Sequence, residues 1–404
     1  MIKHLLRFQE KMKNILLIIL FLITNIHSQS NVNPDISLIG TFNTFTHSIK
    51  GTPEYGKLNF ETPSMEMFID GYLNPYSRAT VNIAFEEGEF GVEELYAQIL
   101  RGLPLDMQIK AGKYLVGFGK LNTIHPHAWH FNERPLFHQI FFGEGGFNDI
   151  GVNFSFILPT ESFYSNLDLG IYKGDAIAKS EVLDPKNADS YFDLRGNSPV
   201  LVGRLSSFFD LDDYTNLEIG LSGSYGVHAK VNFNALGDST SKLENKSLKY
   251  FYGGIDFKLK YKPDSYTALT VQGEGLINSR QVFRQGDVGI NIPVEKTEKI
   301  NTLGGFIFID YLFDKQFSVG AKYDFTYGII GDEPSFSSLS NDDKNKTQGI
   351  SGWFGYYPIE ETLAFRFGAQ NLSFRYYDGT SRDSETKVIL QILFSLGPHK
   401  AHPF

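Results

Sequence analysis

Residues 125–138 read His-Pro-His-Ala-Trp-His-Phe-Asn-Glu-Arg-Pro-Leu-Phe-His and hold four of the ten histidines of a chain that has no cysteine. Neutral imidazole is a common ligand for a borderline metal such as zinc, and His125-x-His127 across Pro126 has the spacing of a chelate on extended backbone. With His130 and His138 close by, and Glu133 or Asp149 to supply an oxygen, the stretch is a candidate zinc site. The same residues also fit another structure, in which these histidines and Trp129, Phe131, Phe137, Phe141 and Phe142 form the small core of a loop and imidazole N–H groups donate to backbone carbonyls. A further pair, His399-x-x-His402, lies near the far end of the sequence. Which chemistry applies depends on the elements that carry the segment.

Other chemistries are easier to exclude. Without cysteine there is no disulfide framework, thiolate ligand or thiol nucleophile. No HExxH, phosphate-binding loop or dinucleotide fingerprint is present, and no G-x-S-x-G surrounds a serine, so no catalytic residues and no enzymatic activity are expected. Lys11 and Lys13, the apolar run from Ile15 to Ile23 and small Ser28 predict a cleaved secretory signal over residues 1–28, with translation starting at Met1 or Met12. That apolar run is short for a membrane-spanning helix. Removing residues 1–28 lowers Lys+Arg from 37 to 33 and Asp+Glu from 46 to 45, a formal net of −12. An acidic chain is a poor partner for nucleic acid. No linker or shift of composition divides residues 29–404, which are expected to form one domain.

The pattern within that domain has a period of two. From Leu217 to Val227 apolar residues or Gly occupy the odd positions and polar or small residues the even ones, and Phe317–Tyr327 repeats the rule. About sixteen such segments run from 35–46 to 387–396, each near the 9 to 11 residues that a tilted membrane strand needs. One of them, Val92–Leu100, fits the i, i+3, i+4, i+7 spacing of a helix better than the alternation of a strand. Short connections such as 74–77, 262–265 and 314–315 alternate with long ones at 47–63, 115–148, 174–199, 229–248, 279–300, 328–345 and 375–386. Short periplasmic turns facing long outer loops predict an all-β fold, a transmembrane antiparallel β-barrel of about sixteen strands; a soluble sandwich has no reason to lengthen every second connection. Aromatics are 15% of the chain, and Tyr261, Tyr266, Tyr311, Phe313, Phe317, Tyr356 and Tyr357 bracket the short turns as an interfacial girdle would.

On this reading the polar phase of each strand faces a hydrated lumen. Its acidic members are Glu66, Asp70, Glu94, Asp106, Glu218, Asp256, Glu274 and Asp324, its basic members Arg78, Lys110, Arg204, Lys258, Lys322 and Arg366, and its amides Asn82, Gln98, Asn153 and Gln370. Sixteen strands enclose more space than side chains fill, and charges lining it set ion preference. They also fit a plainer role, pairing across the wall to stiffen it.

The series Glu94-Leu95-Tyr96, Ile109 to Tyr114, Phe118-Gly119, Asn122, His125-Pro126-His127, Pro135, Phe141-Phe142-Gly143 and Asp149-Ile150-Gly151, with the closing Leu396–Phe404, resembles a group of outer-membrane porin-like barrels. The group is related to phosphate-selective porins, and some members carry the label zinc-regulated outer-membrane receptor. The resemblance implies passive passage of small hydrophilic solutes or ions across the bacterial outer membrane. It also implies insertion into the lipid bilayer by the assembly machinery that accepts a terminal aromatic such as Phe404, a homo-oligomeric, trimeric assembly, and an early long loop, here 115–148, that folds inward as the constriction. Two alternatives stay open: a barrel that binds or takes up zinc, and a surface binding or anchor barrel whose lumen is closed by its loops.

Overall fold

The computed structural model describes the chain apart from residues 1–33, 87, 144, 178–191, 194–197, 235–242, 285–295, 330–343, 360–361, 381 and 398–404. The expected signal segment, the expected domain start at 29, His399, His402 and Phe404 therefore lie outside the described residues.

Sixteen strands make the wall: β1 (Asp35–His47), β3 (Ser64–Asn74), β4 (Ser77–Glu86), β5 (Glu89–Ile99), β6 (Gln108–Leu115), β7 (Asn148–Leu158), β8 (Tyr164–Tyr172), β10 (Val200–Asp210), β11 (Thr215–Asn234), β12 (Leu243–Tyr261), β13 (Ala268–Arg284), β14 (Lys296–Phe313), β15 (Phe317–Tyr327), β16 (Lys346–Ile359), β17 (Leu363–Arg375) and β18 (Glu385–Leu396). Two-residue strands β2 (Asn59–Phe60) and β9 (Phe192–Asp193) join the rim beside β1 and β11. Each wall strand pairs antiparallel with the next, and β1 pairs with β18 from Leu38 opposite Leu396 to His47 opposite Lys387, so the sheet closes and no edge is left.

The alternation in the sequence becomes two faces. On β11 Ile219, Leu221 and Tyr225 point outward while Ser222 and Ser224 are buried inward. Outward Leu221, Ile255 and Ile350 are 53%, 58% and 67% exposed, a continuous apolar surface that a water-soluble protein would not leave bare and that lipid covers. Tyr311, Phe313, Phe317, Tyr356 and Phe365 stack in sequence at the short-turn end, with successive centroids 6.0, 5.6, 5.2 and 6.3 Å apart. Exposed Tyr214 and Tyr225 bracket the greasy stretch of β11. Eleven residues of tilted strand span about 28 Å along the barrel axis, close to the height of an outer-membrane apolar band.

One local ambiguity is resolved and two expectations are corrected. Residues 92–99 belong to β5, as the strand pattern expected, and their helix-like spacing comes from a bulge: Asn82 faces Glu94 and Ile83 faces Val92, so Glu93 is the extra residue. That extra residue makes Val92 to Leu95 a step of three while both remain on the outer face. Residues 229–234, 243–248, 279–284 and 296–300, expected in connections, are strand, because β11 to β14 run on past the apolar band as paired hairpins. Asp106, expected in the lumen, lies in an exposed turn at Pro104–Asp106, where Leu105 and Asp106 take positive φ.

Candidate functional site

Residues 116–147 leave β6 and fold into the barrel. The neck of this loop is closed by one side chain: Asn122 Nδ2 donates to the carbonyls of Val116 (2.7 Å) and Phe147 (3.0 Å), and its Oδ1 accepts the Phe147 N–H (2.9 Å). From there the chain meets β10–β13. Gly119 N–H donates to Ser222 Oγ (3.0 Å), Lys120 pairs with Glu218 (2.6 Å), and the Leu121 N–H donates to Glu274 (2.5 Å). Gly119 has φ +68, and a Cβ there would lie 2.6 Å from Glu274 Oε2, so conformation and space both call for glycine.

The segment then crosses to the opposite wall. His125 Nε2 lies 3.1 Å from Glu94, and its Nδ1 lies 3.3 Å from Glu66 Oε2 and 3.6 Å from Glu93 Oε2. His127 Nδ1 is 3.2 Å from Glu66 Oε1, its ring stacks on His125 at 5.7 Å, and Phe68 meets both imidazoles edge-on. The β5 bulge turns Glu93 and Glu94 together toward this point. Burial alone would pull the His125 imidazole down, but its hydrogen bonds to Glu66 and Glu94 outweigh that and raise it to about 10.

The return half is apolar. Phe131 packs against Phe306, Phe308 and Trp353 on β14 and β16, and its carbonyl accepts from Arg366 (3.3 Å). Glu133 pairs with Lys387 (2.8 Å), and its carbonyl accepts from Lys322 (3.0 Å). Helix α1 (Leu136–Phe142) seats Phe137 on Phe306 and Phe141 and Phe142 on Tyr252. Its periodicity is that of a short buried helix, apolar on nearly every side, so nothing in it signals an inward loop by itself.

The four histidines therefore do not converge. His125 and His127 share one site, whereas His130 sits on the far wall, 3.1 Å from Asp310. His138 is fully buried, and burial with nearby Arg134 and Lys322 pushes it well below its ordinary value. Neutral and 3.7 Å from Glu274, it forms neither an ion pair nor a hydrogen bond there. Glu133 is engaged by Lys387, and Asp149 Oδ1 accepts the Ile150 N–H (2.7 Å); the carboxylates brought to the histidines are Glu66, Glu93 and Glu94 instead. Glu93 carried no signal in the sequence, because alternation assigned it to the outer face.

The charged residues expected to line open water are also corrected. Asp70, Glu94, Arg204, Asp256, Glu274, Lys322, Asp324 and Arg366 face inward but are buried, whereas Glu66, Arg78, Lys110, Glu218 and Lys258 keep partial exposure. Asp70 pairs with Arg78 across β3–β4. Arg204 grips Asp256 with two bonds of 2.5 and 2.8 Å over Gly220, where a Cβ would meet both partners at 2.5 Å. The loop packs across the lumen, and open space remains on either side of it. A space of about 540 Å³ at the short-turn end is lined by His127, His130, Lys258, Lys260, Asp310 and Arg366. A cleft of about 790 Å³ at the long-loop end has Glu86, Glu89, Glu93, Asp149 and Asp175 in its lining together with Phe90, Val92 and Ile150 of the outer face.

His125 gives the loop a pH dependence. Because its imidazole is raised from 6.5 to about 10, its contribution to docking is complete below about pH 6.5, declines as pH rises, and is gone above about pH 10. The chain's two tryptophans, Trp129 and Trp353, are both buried at the loop–wall contact and report it. In chelator-treated barrel their emission should move to the red as pH passes about 10; docking that tightens with rising pH would contradict the assignment.

No family model matches the chain. An uncharacterized protein of Aquifex aeolicus is 28% identical over 404 residues, covering 93% of this chain and 81% of its own length. Among solved structures, the outer membrane channel DcaP of Acinetobacter baumannii superposes with a TM-score of 0.53 at 13% identity, covering 90% of this chain and 97% of that one. An anion-selective porin from Comamonas acidovorans gives 0.52 at 12%, covering 91% and 100%. The closed antiparallel wall, with its greasy outer face and charged inner one, gives this chain the fold of the sixteen-stranded outer-membrane porins.

Proposed function

We propose that the protein is an outer-membrane channel for passive passage of small hydrophilic solutes and ions, exported by a signal over residues 1–28, with residues 116–147 as its constriction. One observation carries the reading. The space at the short-turn end reaches His127, the cleft at the long-loop end reaches Glu93, and both residues belong to the cluster around Glu66. The cluster thus borders both spaces, as the narrowest point of a pore borders both of its halves. Three carboxylates there, in a chain of net charge −9, favour cations by raising their local concentration.

Purified protein in planar bilayers should show stepwise conductance, and under a salt gradient the reversal potential should have the sign of cation preference. Anion preference would contradict the role given to Glu66, Glu93 and Glu94. Silence from well-folded protein would favour a binding or anchor barrel, a reading supported by the aromatic packing of the loop against β12–β16. Stable, monodisperse protein in detergent-free buffer would sink the membrane reading altogether.

A further inference from the structure

We infer that Glu66, Glu93 and His125, with the Asn82 side-chain amide, form a binding site for a first-row divalent cation such as Zn²⁺ at the narrowing of the lumen. The two spacings from the imidazole are those of a coordination polyhedron. Ligands 2.0 to 2.2 Å from a tetrahedral ion stand about 3.3 to 3.6 Å apart. His125 Nδ1 is 3.3 Å from Glu66 Oε2 and 3.6 Å from Glu93 Oε2. In this structure Asn82 Nδ2 donates to the same two oxygens at 3.3 and 3.0 Å. One ligand atom from each of Glu66, Glu93 and His125 lies within 4.8 Å of the others.

Asn82 is an independent sign. It is fully buried, and its Oδ1 accepts no hydrogen bond among the described residues. The two ends of an amide exchange on rotation by 180°. Rotated, Asn82 turns its oxygen toward both carboxylates, a contact that is repulsive unless a cation lies between them.

The surroundings match those of a ligand set. Glu94 is placed to accept from His125 Nε2 at 3.1 Å, leaving Nδ1 for the ion, and Glu94 is itself held by the Leu115 N–H at 3.1 Å. His127 steadies the other oxygen of Glu66 at 3.2 Å. One imidazole, two carboxylates and an amide oxygen suit zinc or manganese better than a soft thiophilic ion. Glu93 opens onto the acidic cleft of about 790 Å³, which supplies the path inward. The inference rests on the placement of the loop and stands apart from whether the lumen conducts.

The test is zinc titration of the full-length refolded barrel in detergent, after chelator treatment, by calorimetry and by competition with a zinc-responsive dye. Zn²⁺ should bind with micromolar affinity, Ca²⁺ at least 100-fold more weakly. Glu93→Gln and Glu94→Gln should each weaken zinc at least tenfold while heat-modifiable mobility shows the barrel folded, and His130→Ala should leave binding unchanged. Zinc binding absent below 1 mM, equal binding of Ca²⁺, or binding that survives both Glu→Gln changes would overturn the site. In the first case the imidazole alone bridges the carboxylates. A barrel that conducts but fails these tests removes only this inference, whereas a silent barrel that passes them removes only the channel.

Discussion

Truncating Phe131 to alanine is expected to raise single-channel conductance and to shift tryptophan emission to the red. The ring is 1% exposed, and four aromatic partners surround it: Trp129 at 5.6 Å, Phe308 at 5.4 Å, Trp353 at 6.0 Å and Phe306 at 6.1 Å. The Lys322 ammonium lies 4.5 Å from its centroid. Losing a buried phenylalanine costs about 3 to 5 kcal/mol, which increases the undocked fraction of the loop by roughly two to four orders of magnitude. The strands do not depend on the loop for their hydrogen bonds, so the barrel remains folded while its largest obstruction loosens. Phe131→Leu keeps most of the buried volume and should have a much smaller effect. Unchanged conductance and emission in Phe131→Ala would mean that the loop is held by its polar contacts alone.

Replacing Lys322 by methionine is expected to destabilise the barrel by about 3 to 5 kcal/mol, because it leaves a buried carboxylate without its cation. Lys322 and Asp324 are both fully buried on β15, with Nζ 2.9 Å from Oδ2, and the same Nζ donates to the Glu133 carbonyl. The pair sits under the loop, where water that would solvate Asp324 in an empty lumen is excluded. Adding Asp324→Asn to Lys322→Met removes the stranded charge and should recover most of the loss. The measurement is the urea midpoint of the heat-modifiable gel shift for wild type, single and double variants. A single variant as stable as wild type would show that water reaches Asp324 after all.

Both predictions concern inward residues that the sequence marked as polar or aromatic but could not pair. Alternation at 217–227 and 317–327 is a local property, because successive side chains on an extended strand point to opposite faces, and one face here is apolar enough for lipid. It showed which residues of β11 and β15 turn inward. It could not show that Lys322 and Asp324 lie under a loop from two hundred residues earlier in the chain, since that depends on where residues 131–137 come to rest. The helix-like spacing of Val92 and Leu95 shows the opposite case, in which a local feature was legible but its cause was not: a bulge needs its partner strand to be defined.

The sequence by itself determined the closed antiparallel barrel, its sixteen wall strands, the aromatic belt at the short-turn end and the single long segment carrying the histidines. These follow from periodicity, turn residues and connection length, all read along one stretch of chain at a time. Only the tertiary structure decided that His125 and His127 meet Glu66, Glu93 and Glu94 while His130 and His138 go elsewhere, and that most inward charges are packed and out of open water. The physical reason is that a ligand set or a constriction is a relation between strands that closure brings together. The register of β3 against β4, the bulge in β5 and the path of the loop across the lumen fix those distances, and the residues of one strand do not encode the position of the next.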